Sequence, residues 1–342
     1  MEKFIQGSQA KKPRSQLLAA FALILASSSF AASTPARNWG QCPATVVIQT
    51  PEVVYALGDT HGDYDRLVAL LVGGKLIAGA PVSPDRVVWS GGKSTLIVTG
   101  DMIDKWTQSL SVIALMRAMI TSAASQGGQV VISAGNHEAE FLADPQGSKT
   151  TEFQKELTAA SINPKDVANG TDSQGIGKFL LCLPFGSRVN GWFFAHAGST
   201  KGRTLTKLTS DLQTGFDSDG YSATVLLGNK GLLEARMKPP WWQKDGDSSE
   251  QSIARLLGYA DALGVQHIVF GHQPGSYDFN DGSKRKKGTM FQNFHGLVFL
   301  IDMGMSQGVG YSKGGLLRIE GSGSSATATE LLPDGTQTQL WP

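Results

Sequence analysis

Cysteine is almost missing from this chain of 342 residues: Cys42 and Cys182 are the only two. At most one bridge can form, in an oxidising exported compartment, and the sequence does not show that the two meet. Charged residues are also scarce, at 17%. That scarcity excludes disordered and coiled-coil classes, and together with 41 glycines and 41% hydrophobic residues it suits a packed, loop-rich enzyme of one large domain or two small ones. An excess of charge of one sign is absent too, since the formal net charge is +1. Nothing in that balance suggests a nucleic-acid binder. Past the N-terminal segment no apolar run approaches the length of a membrane helix, and no internal repeat is visible.

The N-terminal segment has its own pattern. Lys3, Lys11, Lys12 and Arg14 precede the apolar run LLAAFALILA, and small residues follow at Ser29 and Ala31. This order of basic segment, short apolar core and small residues reads as a secretory signal peptide over residues 1–31, hence a secreted or periplasmic protein without stable membrane association after cleavage, with a retained N-terminal anchor as the alternative. Its removal takes away four positive charges and Glu2, which brings the formal charge from +1 to −2. The run Ser283-Lys284-Arg285-Lys286-Lys287 is then the one concentrated basic patch, and it reads as a solvated loop.

What the chain does supply, repeatedly, is an apolar run that stops at a metal-ligand side chain. The stretch ALGDTHGDYD places Asp59, His61, Asp63 and Asp65 directly after VVYAL. The same rhythm returns with TLIVT before Gly100-Asp101, QVVISA before Gly135-Asn136-His137, WFFA before His196, and HIVF before Gly271-His272. Such runs, rich in valine, isoleucine and phenylalanine, read as strands buried on both faces. Laid side by side, their carboxyl ends share an edge, where open α/β sheets bind ligands.

Segments of helical period lie between the runs. DRLVALLVGG puts Leu67, Leu70 and Leu71 on one face, and TQSLSVIALMRAMITSAA puts Leu110, Ile113, Met116, Arg117 and Ile120 on another. The polar region from Ala143 to Gly177 reads as an insertion with at most one helix, and 201–247 as irregular. GLVFLIDMG and GLLRIEGSGSSATATELL read as closing strands.

Asp59, His61, Asp101, Asn136, His196 and His272 form a set of carboxylate, imidazole and amide donors without thiolate. That set suits borderline divalent ions such as manganese, iron or zinc. Six ligands exceed one tetrahedral site, whereas two ions sharing a carboxylate use them fully, activate a bridging water and stabilise both ends of a displacement at phosphorus.

In this order GDTHGD, GDMIDK, GNHE, HAG and GHQP resemble the five blocks of the calcineurin-like metallophosphoesterases, in particular the phosphoprotein phosphatase branch. WSGGKSTLIVTGDMID, HGLVFLIDMGMS and GGLLRI are similar to segments of the bacterial Shewanella-like protein phosphatases. The resemblance implies an αββα sandwich, two mixed sheets flanked by helices, in a domain over 45–325 followed by a tail over 326–342.

The resemblance also implies roles. Asp59, His61 and Asp101 would hold one ion, and Asp101, Asn136, His196 and His272 the other. His137 would protonate the leaving oxygen while Asp104 orients its ring. Arg236 and Lys105 would bind the phosphate. The second block departs from the family, which continues with arginine and glycine where this chain has Lys105-Trp106; lysine offers a point charge and no planar fork. His267 reads as a strand-edge residue and His295 as structural. The implied function is an exported phosphomonoesterase acting on phosphoserine, phosphothreonine or phosphotyrosine in protein, or on a small phosphate ester, by metal-activated hydroxide. A nucleotide or dinucleoside-polyphosphate hydrolase is the alternative within the class, and a non-catalytic phosphate-ester sensor the alternative outside it.

Overall fold

The computed structural model describes residues 37–342, so the signal peptide expected over 1–31 lies outside the described residues. In chain order the elements begin with β1 (Thr45–Ile48), β2 (Val54–Leu57), α1 (Tyr64–Gly73), β3 (Thr95–Val98), α2 (Ser109–Ala124), β4 (Gln129–Ile132) and α3 (Asn136–Ala143). Next come α4 (Thr151–Ala159), α5 (Pro164–Ala168), α6 (Ile176–Leu181), β5 (Gly186–Val189), β6 (Trp192–Ala195) and α7 (Leu205–Asp219). The remainder holds α8 (Ser249–Leu263), β7 (His267–Phe270), β8 (Tyr277–Asp278), β9 (Lys284–Arg285), β10 (Phe291–Asn293) and β11 (Val298–Leu300). It closes with β12 (Leu316–Glu320), β13 (Thr327–Leu331) and β14 (Gln337–Trp341).

Two six-stranded mixed sheets result. One runs β1-β5-β6-β7-β11-β10, the other β14-β13-β12-β2-β3-β4. The β2, β3 and β4 strands pair in parallel, as do β6, β7 and β11. Side-chain alternation along these strands sorts residues into two cores. Val54, Ala56, Ile97, Trp192, Phe194, Val269, Phe299 and Leu317 face one another between the sheets. Their neighbours Leu57, Leu96, Val98, Phe193, Ile268, Phe270, Val298 and Leu316 face outward into a second core with the helices. Because both faces of each sheet are covered, the runs are apolar throughout, and the layering is the expected αββα sandwich. Each fully buried leucine or phenylalanine contributes about 1.5–3 kcal/mol.

Several expectations are corrected. The region 143–177 contains two helices, α4 and α5, and the start of α6, rather than at most one. Its low apolar content conceals them because α4 buries only Phe153 and Leu157 and α5 is a single turn started by Asn163 and Pro164. Within 201–247, α7 is a regular helix capped by Thr204, whose side chain accepts the Lys207 N–H. Residues 326–342, expected as a tail, carry β13 and β14, which extend the second sheet by antiparallel pairing. On α2 the buried face is Val112, Ile113, Leu115, Met116, Met119 and Ala123, while Ile120 is exposed and Arg117 donates to the Gln174 carbonyl at 2.9 Å.

Cys42 and Cys182 form a disulfide with Cα atoms 4.7 Å apart, which ties the segment before β1 to the end of α6. Arg37 reinforces this junction by donating to the carbonyls of Cys42 at 2.8 Å and Leu183 at 2.7 Å, while its guanidinium lies over Phe185. Among the described residues no helix is long and apolar enough to cross a membrane.

Candidate metal centre

Both sheets deliver candidate ligands to one rim. Asp59, Asp101 and Asn136 lie just past β2, β3 and β4 of one sheet, and His196 and His272 just past β6 and β7 of the other. All five are buried, as is His61. Asp101 is at the middle of the group. Its Oδ2 is 3.2 Å from His196 Nε2 and 3.6 Å from His61 Nε2, and its Oδ1 accepts the His137 N–H at 2.9 Å. His196 Nε2 also stands 3.1 Å from Asn136 Oδ1 and 3.1 Å from His272 Nδ1. Asp59 closes the other side, with Oδ2 3.8 Å from His61 Nε2 and Oδ1 accepting the His272 N–H at 3.1 Å.

Two triads of ligand atoms fall within 4.8 Å of one another, His61 with Asp101 and His137, and Asp101 with His196 and His272. Asp101 belongs to both. His61 Nδ1 meets the Ile103 carbonyl at 3.2 Å, which fixes the proton there and leaves the Nε2 lone pair facing the carboxylates. Nitrogen and oxygen donors that converge in this way, with one carboxylate common to both triads, fit a pair of divalent cations. His137 reaches the same cluster, but its Nδ1 turns to Asp104 Oδ2 at 3.2 Å.

Opposing charges in a buried site shift the protonation of these groups. Burial and the neighbouring Asp302 push the Asp59 carboxyl up. Burial would raise Asp101 as well, yet His196, His137 and His61 outweigh it and hold Asp101 down. The same pairing raises His196 to about 9, since Asp101 and Asp59 overcome the desolvation that would lower it. Burial pushes His61 down to about 3 and lowers His272. His137 is raised, because Asp101 and Asp104 offset its burial.

The backbone is bent to make this arrangement. His61, Asp101, Asp104, Lys105 and His272 all adopt positive φ, between 42° and 70°. For residues with a Cβ this region costs about 1–3 kcal/mol each and persists only where the surroundings impose it. Much of the imposition comes from Glu138, absent from the sequence-based site. Its buried carboxylate accepts the N–H groups of Asp101 at 2.9 Å, Met102 at 2.7 Å, Ile103 at 3.2 Å and Gly135 at 2.7 Å. Glycine next to the ligands permits the close approach: a Cβ on Gly135 would lie 2.1 Å from Asp101 Oδ1, and one on Gly271 2.4 Å from Asp59 Oδ1.

The three aspartates of ALGDTHGDYD have separate uses. Asp59 faces the cluster. Asp63 caps α1 by accepting the Arg66 N–H at 3.1 Å, and its other oxygen accepts the Gln307 N–H at 2.8 Å. Asp65 is exposed and accepts from Gln108 Nε2 at 3.0 Å.

Two further residues were not anticipated. Asp302, whose charge bears on Asp59, lies just past β11, so GLVFLIDMG repeats the rhythm of an apolar strand ending at an acid and carried a readable signal. Arg285 is the correction to the basic run: it is 2% exposed and donates to the carbonyls of Gln273, Thr289 and Asp302. Lys284, Lys286 and Lys287 remain outside. Lys105 and Arg236 both line a cleft of about 400 Å³ that opens on His61 and His272. Arg236 is 48% exposed, with Nη2 3.8 Å from Glu234 Oε1. His267, at the start of β7, stacks on Trp192 at 3.8 Å, and His295 is exposed in the turn before β11.

A family model for calcineurin-like phosphoesterases matches residues 53–276. The chain belongs to the calcineurin-like phosphoesterase family, whose members are metal-binding hydrolases. It is 25% identical over 268 residues to an uncharacterized protein of Schizosaccharomyces pombe, covering 75% of this chain and 74% of that one. It is 29% identical over 182 residues to a symmetrical bis(5'-nucleosyl)-tetraphosphatase of Chromobacterium violaceum, covering 52% of this chain and 56% of that one. Shewanella-like protein phosphatase 2 of Arabidopsis thaliana is 31% identical over 90 residues, 26% of this chain and 22% of that protein. The fold is shared with a cold-active protein-tyrosine phosphatase of a psychrophilic Shewanella species, with a TM-score of 0.66 at 23% identity over 87% of this chain and 82% of that one.

Proposed function

We propose that the protein is an exported phosphomonoesterase of the protein phosphatase type, which uses two divalent cations of the manganese, iron or zinc class. The observation that carries this reading is the convergence of five strand ends on Asp101, with the His137–Asp104 pair beside it. Asp59, His61 and Asp101 would hold one cation, and Asp101, Asn136, His196 and His272 the other. The bound pair would supply Lewis-acid polarisation of the phosphoryl group and activation of water. Lys105 and Arg236, on the cleft wall, offset phosphoryl charge as the substrate enters. His137, held through Nδ1 by Asp104, presents a proton to the departing oxygen.

A binding-only role would give Asp104 no reason to orient His137, and this pairing favours turnover. The Cys42–Cys182 bridge supports export, because disulfides persist in oxidising compartments. Similarity to bis(5'-nucleosyl)-tetraphosphatases supports a second reading, hydrolysis of a dinucleoside polyphosphate. Enzyme loaded with defined metal and assayed on phosphoserine, phosphothreonine and phosphotyrosine peptides beside diadenosine tetraphosphate separates the two. Turnover confined to diadenosine tetraphosphate would reject the protein phosphatase reading.

A further inference from the structure

The cleft over the metal centre does not end at Lys105 and Arg236. A second cavity, of about 450 Å³, shares Lys238, Ser276 and Tyr277 with the first of about 400 Å³, so the two are lobes of one cleft. The inner lobe reaches His61 and His272. The outer lobe is floored by Pro239 and Pro240 and walled by Tyr277 with Gln243 and Asn280. A phosphoryl group held at the centre would fill only the inner end, which leaves the outer lobe to the rest of a substrate.

Lys238 marks the junction. It is exposed, and among the described residues no carboxylate lies within the 4.0 Å of an ion pair with it. The one carboxylate lining the outer lobe, Asp278, instead faces Lys284 at 3.8 Å. The loop that carries Lys238 is fixed to the centre itself: the Met237 N–H donates to Gln273 Oε1 at 3.0 Å, Gln273 Nε2 donates to the Ala235 carbonyl at 3.3 Å, and Gln273 follows His272. Buried Met237 and Trp242 anchor the same loop from below. A free ammonium on a backbone fixed at a set place along the cleft can read charge. The Gln243–Asn280 amide pair, at 3.2 Å, adds donors and acceptors suited to a peptide backbone.

We infer that the outer lobe binds the peptide segment flanking the phosphorylated residue and that Lys238 selects an acidic side chain in that segment. The inference rests on the protein phosphatase reading above and names its substrate class: acidic phosphopeptides. An exposed charge pair contributes modestly, so the expected preference for an acidic over a neutral peptide is about 1.5-fold to fivefold in kcat/KM, shrinking as salt is added.

The test compares phosphopeptides that differ only in glutamate, glutamine or lysine at each position from one to three residues on either side of the phosphorylated residue. Full-length metal-loaded protein, Lys238→Ala, Lys238→Glu and Lys238→Arg are assayed, with p-nitrophenyl phosphate turnover as the check that each centre is assembled. The wild type should prefer glutamate at one or more positions. Lys238→Ala should bring that ratio to about one, Lys238→Glu should invert it, and Lys238→Arg should keep it. Equal kcat/KM for glutamate and glutamine peptides in the wild type, or a preference unchanged in Lys238→Ala, overturns the inference while leaving the phosphatase reading intact. Turnover of p-nitrophenyl phosphate and diadenosine tetraphosphate with no phosphopeptide hydrolysed overturns both.

Discussion

His137 Nδ1 stands 3.2 Å from Asp104 Oδ2, and Asp104 Oδ1 is itself held by the backbone N–H groups of Glu152 at 2.9 Å and Phe153 at 3.2 Å. The imidazole thus stands against a carboxylate that the start of α4 keeps in place. A general acid contributes typically about 10²- to 10⁴-fold where the leaving group needs its proton and little where it does not. His137→Ala should therefore cost far more on phosphoserine peptides than on p-nitrophenyl phosphate, with metal retained. Asp104→Asn should show the same asymmetry in milder form. Equal losses on the two leaving groups would refute the acid role.

Asp101 is the residue common to both candidate clusters, and Glu138 holds the N–H groups around it. Asp101→Asn should lower bound metal and abolish most turnover, and elemental analysis beside rate measurement checks it. Glu138→Ala strands buried N–H groups that cost about 1–3 kcal/mol each, so it should lower both stability and metal content. His295→Ala, in an exposed turn, should leave metal stoichiometry unchanged.

Gly135→Ala sets a methyl group 2.1 Å from Asp101 Oδ1, and the neighbour is fixed by its bonds to the backbone of α3. The alanine variant should fold, as far-ultraviolet circular dichroism would show, yet lose metal affinity by at least tenfold. Normal affinity would mean that the strand end yields more readily than its packing implies.

Lys105 is exposed at the cleft wall with φ of 62°. Lys105→Ala should raise KM and weaken inhibition by inorganic phosphate while metal content holds. If both constants stay at wild-type values, the lysine is only a solvated charge.

The Cys42–Cys182 bridge closes a separation of 140 residues. The Cys42→Ser/Cys182→Ser pair should lose about 2–5 kcal/mol, read as a lower Tm, while the rate at 25 °C is kept because neither cysteine lines the cleft over the centre. A Tm unchanged by reductant in the parent protein would show that the bridge contributes nothing.

Much of the site was legible because its ligands are local signals. Each follows a run of apolar, β-branched or aromatic residues, and a strand that is buried on both faces has to end before a polar side chain. Asp302 follows the same rule after β11, inside the HGLVFLIDMGMS segment, where the acid comes directly after the apolar run. The helices of 143–177 were harder to see, since short elements that bury two residues leave almost no period in the sequence.

Composition and order by themselves determined which residues can ligate, that they terminate strands, and that the strands are covered on both faces. Tertiary structure decided the rest. Asp101 is central because parallel pairing of β2, β3 and β4 sets Asp59 and Asn136 on either side of it, while a second sheet brings His196 and His272 from the opposite layer. Arg285 lies in a run of cations that reads as a solvated loop, yet β9 carries it inward to carbonyls from three other segments, and only that enclosure makes its burial affordable. Glu138 gives no sign in isolation of collecting four N–H groups, because those donors come from the turn after β3 and the start of α3 and meet only when the two strand ends are packed together.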